Sequence, residues 1–140
     1  MGTYTRLMAG GEAYAIPVEY VLEVAGLGDV TAVPRAPAEI LGVRNLRGRL
    51  LPVIELTRLL GVPGATPARQ LLVAEVGDVR AALAVDLVTD VGELPDPVEE
   101  PGARFLAGAT LCDGDLVGVI DVPGLLGSLR TKAGRGSPGE

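Results

Sequence analysis

The chain is written twice. Gly42–Gly61 reads GVRNLRGRLLPVIELTRLLG and Gly108–Gly127 reads GATLCDGDLVGVIDVPGLLG, and eight of these twenty positions are identical without a gap. Upstream, Gly10–Leu27 lies over Gly77–Leu94 with six of eighteen positions identical, and Glu19 and Glu23 fall on Asp86 and Asp90. The same segments recur in the same order at an offset of 66 to 67 residues, the mark of an internal duplication. A unit of roughly 60 residues buries only about 60% of the surface its unfolded chain exposes and is marginal alone. The two units are therefore expected to pack together and share an apolar seam.

Each unit reads as β. Tyr4–Ala9, Ala13–Val18, Leu71–Val76 and Arg80–Val85 are short apolar runs joined by Gly-Gly or by a Gly-Asp pair, as hairpins require. Asp113-Gly114 is a strong two-residue turn signal, and Arg47-Gly48 occupies the same place in the first copy, so Gly42–Leu46 and Arg49–Ile54 read as paired strands. Pro52 cannot donate to a ladder and predicts an edge or a bulge. Helical turns are expected at Thr57–Leu60 and Gly124–Leu129, and Pro37 is placed to open another through Leu41. The expected fold is all-β: two small closed barrels of about five short strands each, packed together, with short helical turns. Barrel one takes about 1–61 and barrel two about 68–129, within one domain spanning 1–129. Val62–Ala68 (VPGATPA) reads as a hinge, Asp96–Gly102 as a polar acidic loop, and 130–140 as a disordered tail without an apolar face.

Composition removes several function classes. The absence of histidine takes away Ser-His-Asp and Cys-His catalysis, the usual zinc sites and a phosphohistidine carrier. Cys112 is the only cysteine and has no base in view, so it reads as a packing residue. Asp113-Gly-Asp115 reads as a plain hairpin turn, because a calcium loop needs several more oxygen ligands. No catalytic residue, metal or cofactor is therefore expected. A net charge of −6 opposes nucleic-acid binding, which draws its affinity from Lys and Arg. No apolar run of membrane-spanning length occurs, the N-terminus lacks a signal-peptide pattern, and Arg6 stands where myristoylation wants Ser or Thr. The expected location is cytoplasmic.

The duplication supplies a control for one cluster. Arg44, Asn45, Leu46, Arg47 and Arg49 become Thr110, Leu111, Cys112, Asp113 and Asp115 in the second copy. The turn accepts Arg-Gly or Asp-Gly, so the fold does not demand Arg47. Arg35, Arg44, Arg47, Arg49 and Arg58 are five of only twelve basic residues, within 24 positions of an acidic chain. A positive patch of this kind suits an acidic protein partner, since Arg forms bidentate contacts.

Pro37, Ile40, Gly42, then Asn45-Leu46-Arg47-Gly48, then Pro52 and Glu55-Leu56 resemble the signature of the CheW chemotaxis coupling proteins. The resemblance runs almost without gaps from Tyr14 to Leu56, resumes in Phe105–Leu126, and covers about Thr3–Leu129 in all. It implies two packed SH3-like five-stranded barrels and a non-enzymatic bacterial adaptor. Such proteins join the cytoplasmic hairpins of methyl-accepting chemoreceptors to the regulatory domain of a CheA-type histidine kinase, without membrane insertion. At matching positions it implies that Arg47, Asn45, Gly42 and Glu23 are receptor-side or supporting residues. Val21, Val43 and Leu50 are then candidates for a groove wall. Arg44 and Arg49 are extra charges relative to the family pattern, Ala25 stands where a basic residue can occur, and Glu55 stands where Asp is usual. The extra basic character leaves open an adaptor that binds only receptor or only kinase, in a pathway other than chemotaxis. A small-barrel ligand or RNA binder would need stacking aromatics on a basic face, and the chain has only three Tyr and one Phe.

Overall fold

The computed structural model describes residues 1–62, 67–99 and 104–135. The first copy supplies β1 (Gly2–Ala9), β2 (Glu12–Pro17), a 3₁₀ turn (Val18–Tyr20), β3 (Val21–Gly26), β4 (Ile40–Leu46), β5 (Arg49–Glu55) and α1 (Leu56–Leu60). The second supplies β6 (Gln70–Val76), β7 (Val79–Val85), β8 (Leu87–Leu94), β9 (Leu106–Cys112), β10 (Asp115–Ile120) and α2 (Val122–Arg135). The two series match strand for strand, each closing on a helix, as a duplication requires, and the all-β class with two five-stranded sheets holds.

The boundaries between the barrels do not fall at 1–61 and 68–129. One sheet runs β8-β1-β2-β10-β9 and the other β3-β6-β7-β5-β4. Each sheet takes the first hairpin of one copy and the last three strands of the other. The physical reason lies between β2 and β3, where a three-residue turn redirects the chain into the other sheet instead of reversing it. Asp86 marks the same crossing between β7 and β8. Self-comparison is blind to this exchange, because a hairpin meets the same side chains whether it completes its own barrel or its twin's.

The exchange explains why β6 and β7 are apolar on both faces. Side chains alternate across a strand. Leu71 and Val73 enter one core with Leu51, Val53, Ala82 and Ala84, whereas Leu72 and Ala74 enter a second with Leu83 and Val85. That second core is the predicted seam. It joins Leu7 and Ile16 of one sheet to Ile54 and Leu83 of the other, with Leu56 of α1 and Leu125 of α2. A third core, with Tyr4, Ala15, Leu94, Val117 and Val119, fills the first sheet's barrel.

Three further expectations change. Pro37 opens one turn only, with the Ile40 N–H donating to the Pro37 carbonyl at 3.0 Å, and the chain is already strand at Ile40. Pro52 sits on an inner strand, and its place is permitted because pairing of β5 with β7 begins only at Val53. The register shift lies opposite, between Ile40 and Gly42. The helical turn at Gly124–Leu129 is part of the longer α2, so the backbone expected to be disordered from residue 130 stays helical through Arg135. Val122, Leu125, Leu126 and Leu129 make a stripe at i, i+3, i+4 and i+7 that buries against the seam. The Asp121 carboxylate caps this helix, accepting from the Gly124 N–H at 3.1 Å. Of the expected hinge and acidic loop, residues 63–66 and 100–102 lie outside the described residues, as does 136–140 of the expected tail. Within the loop, Val98 pairs with Ala109.

Candidate functional site

Eight of the nine candidate partner-binding residues gather where the two edges of the second sheet meet. Glu23 lies on edge strand β3. Gly42, Val43, Arg44 and Asn45 lie on edge strand β4, Arg47 in the turn, and Arg49 and Leu50 on β5. Three ties close the barrel across these edges. Arg47 Nε donates to Glu23 Oε2 at 2.8 Å. Arg44 Nη1 donates to the carbonyls of Gly26 and Leu27, both at 2.6 Å. Thr31 and Val43 exchange backbone hydrogen bonds at 2.8 and 2.9 Å.

The ties assign several candidates a role in the fold. Gly42, at φ +154°, lets Thr31 approach: a Cβ there would stand 2.1 Å from the Thr31 carbonyl oxygen. The Asn45 side-chain carbonyl accepts from the Gly48 N–H at 3.1 Å and so braces the turn. Arg47 and Gly48 adopt φ 53° and 80°, the left-handed pair of a type I′ hairpin, and Asp113 and Gly114 repeat it at 52° and 83°. Val21, at the start of β3, packs on the shared seam.

The basic cluster is therefore smaller as a free surface than its sequence suggests. Arg44 is tied to backbone carbonyls, and Arg58 pairs with Glu55 at 3.1 Å and donates to the Ala38 carbonyl at 3.2 Å. Arg35 and Arg49 form no ion pair among the described residues. Arg47 stays 80% exposed while bonded to Glu23, and Leu50 is 67% exposed. The tip thus exposes a guanidinium, a second cation and an apolar side chain.

Sequence reasoning did not single out a second arrangement, on the first sheet. Asp90, the duplicate of Glu23, pairs with Arg6 of β1 through both carboxylate oxygens, and Arg6 also meets the Cys112 sulfur. The hydrogen bond to Asp90 holds the Arg6 guanidinium above its ordinary range. These residues border a cleft of about 320 Å³, and an apolar groove of about 430 Å³ opens beside Val98, Leu111 and Leu116. None of the nine candidates lines either opening. The fall of Glu23 on Asp90 in the self-alignment was the signal that pointed there. Among the described residues no group of three or more His, Cys, Asp or Glu side chains is placed to hold a metal ion, and no helix is long and apolar enough to cross a membrane.

A family model described as the CheW-like domain matches residues 4–130. The probable chemotaxis protein CheW of Rhizobium etli is 30% identical over 134 residues, covering 89% of this chain and 86% of that protein. Protein FrzA of Myxococcus xanthus is 32% identical over 129 residues, covering 84% and 81%. The crystal structure of the scaffolding protein TtCheW from Thermoanaerobacter tengcongensis has the same fold, with a TM-score of 0.76, 24% identity, and coverage of 85% of this chain and 83% of that one. The chain belongs to the CheW-like domain family.

Proposed function

We propose that this protein is a non-enzymatic cytoplasmic adaptor that couples the cytoplasmic hairpins of chemoreceptors to the regulatory domain of a CheA-type histidine kinase. The observation that carries the reading is the family match across residues 4–130. The exposed β4–β5 tip gives it a working surface. Arg47 is fixed in direction by Glu23 yet open to solvent, so it can meet a carboxylate on a receptor helix without first losing its orientation. Leu50 and Val43 supply apolar contact beside it, and Asn45 and Gly42 hold the tip in shape. Arg49 adds charge that steers an acidic helix toward the tip.

Calorimetric titration against a purified receptor cytoplasmic hairpin and, separately, the kinase regulatory domain tests the proposal. Binding to both is the expected result, with the receptor arm weakened about tenfold or more by Arg47→Asp. A tenfold weakening is about 1.4 kcal/mol of binding free energy. Binding to one partner only would narrow the role to a specialised adaptor. Binding to neither would remove the coupling function.

A further inference from the structure

Arg35 holds a position that the other copy gives to glycine. At the offset of 67 residues, Val33-Pro34-Arg35-Ala36 lies over Glu100-Pro101-Gly102-Ala103 in sequence. The Ala36 N–H donates to the Val33 carbonyl at 3.3 Å, and Arg35 takes φ 64°. Proline at the second position and a left-handed residue at the third make a type II turn, whose third position favours glycine. Arginine there carries a strain that glycine would not. Among the described residues only four non-glycines have positive φ, and two of them are Arg35 and Arg47.

The strained turn is anchored on both sides. Upstream, Thr31 pairs with Val43, and Arg44 holds the carbonyls of Gly26 and Leu27. Downstream, the Ile40 N–H donates to the Pro37 carbonyl at 3.0 Å, the Glu55 N–H to that of Glu39 at 2.7 Å, and Arg58 to that of Ala38 at 3.2 Å. The Arg35 side chain is exposed and forms no ion pair among the described residues, and Val33 beside it is 42% exposed. A Cβ on Gly42 would stand 3.1 Å from the Ala32 Cα, so from Thr31 the loop runs beside β4 toward the start of that strand. Arg35 and Arg47 therefore mark opposite ends of β4, whose seven residues span about 20 Å.

We propose that Arg35 is a second specificity-determining contact of this chain, taking a carboxylate of the receptor hairpin as Arg47 takes another. Because it serves the coupling role proposed above, this contact rests on that reading. Its turn does not need arginine, so the guanidinium is there for what it meets. A guanidinium on an anchored turn gives up little freedom on binding and can grip a carboxylate through two hydrogen bonds. Val33 supplies apolar contact beside Arg35 as Leu50 does on the Arg47 tip. A helix rises 1.5 Å per residue, so the two carboxylates are expected about 14 residues apart on one receptor helix.

Arg35→Gly tests this, because it gives the turn the residue it favours while removing the charge. Its melting temperature is expected to stay within about 3 °C of the parent or to rise. Calorimetric titration should nonetheless show binding to the receptor hairpin weakened about fivefold or more, with binding to the kinase regulatory domain within about twofold of the parent. Arg35→Lys, which keeps the charge without the planar fork, should fall between the two. Neutralising the acidic residues of the hairpin one at a time should reveal one whose loss weakens the parent but leaves Arg35→Gly unchanged. Unchanged hairpin affinity for Arg35→Gly, with the parent still binding, overturns the contact and leaves the coupling role standing. A fall in melting temperature together with lost binding, a loss on the kinase arm instead, or a hairpin with no such carboxylate overturns it as well. A parent that binds neither partner overturns both the contact and the coupling role.

Discussion

Gly42 and Gly108 perform the same act in the two copies. Their φ angles are +154° and +157°, and a Cβ would stand 2.1 Å from the Thr31 carbonyl oxygen in one case and 2.3 Å from that of Val98 in the other. Each glycine admits a loop segment to the outer strand of its sheet, where Thr31 pairs with Val43 and Val98 with Ala109. A five-stranded sheet leaves its edge strands with unpaired backbone groups, and the device covers part of that edge in each barrel.

Gly42→Ala is expected to destabilise the protein by about 2–4 kcal/mol, since the methyl meets backbone that cannot rotate away and φ is unfavourable for any L side chain. Gly108→Ala should cost a similar amount. Thermal unfolding followed by circular dichroism measures both. A loss confined to Gly42→Ala would break the equivalence of the two copies.

The strands, the hairpin turns and the shared seam were legible in sequence, because the duplication displayed each of them twice and because Leu, Val and Ile can be buried on both faces of a strand. The exchange of hairpins was not legible: Leu71 and Leu72 are equally apolar whichever sheet they join. Nor was the division of labour among the arginines. Arg44 and Arg49 look alike in sequence, yet Arg44 is bound to two carbonyls 17 and 18 residues upstream, a contact that only the closed barrel creates. The length of α2 escaped for a related reason. Its apolar stripe ends at Leu129, and beyond that the sequence shows no apolar face.

Arg44→Ala should therefore act on stability before it acts on binding. Hydrogen bonds from a charged donor contribute about 1.5–3 kcal/mol, and half-exposure lowers that, so a loss of about 1–2 kcal/mol is expected. Arg49→Ala, which breaks no bond among the described residues, should stay within about 0.5 kcal/mol of the parent. Urea midpoints compare the two, and equal values would remove the distinction between a clamp and a free charge.

Glu55 precedes α1 as Asp121 precedes α2, but only Asp121 caps its helix. The longer Glu55 side chain reaches Arg58 instead, at 3.1 Å. Glu55→Asp shortens the carboxylate to capping length for the Arg58 N–H. A gain of about 0.5–1 kcal/mol is expected, offset in part by the weakened ion pair. An unchanged or lower urea midpoint would show that the ion pair outweighs the cap.

Burial, aided by the nearby Glu12 charge, pushes the Tyr14 phenol above its ordinary value. A raised folded-state value favours the neutral phenol in the folded state. Its contribution is complete below the unfolded value of about 10 and is lost as pH climbs through the higher folded one. Tyr14→Phe should flatten part of the loss of stability above about pH 10 and leave the neutral region little changed. Parallel alkaline profiles for parent and variant would contradict this.

The tip itself gives the sharpest contrast. Arg47→Asp removes an ion pair in which the arginine is 80% exposed, an interaction worth about 0–1 kcal/mol at a surface. It also replaces arginine at φ 53° with a residue that tolerates the left-handed region better, as Asp113 does at 52°. The two effects oppose each other, so the melting temperature should move by no more than about 3 °C. Gly48→Val acts on the same turn in the other direction. At φ 80° a β-branched side chain is strained even though the space around Gly48 is open, and a loss of about 2 kcal/mol or more is expected. Scanning calorimetry on the two variants separates charge from backbone. A large drop for Arg47→Asp would mean that the Glu23 tie, rather than the turn, sets the stability of the barrel's closing edge.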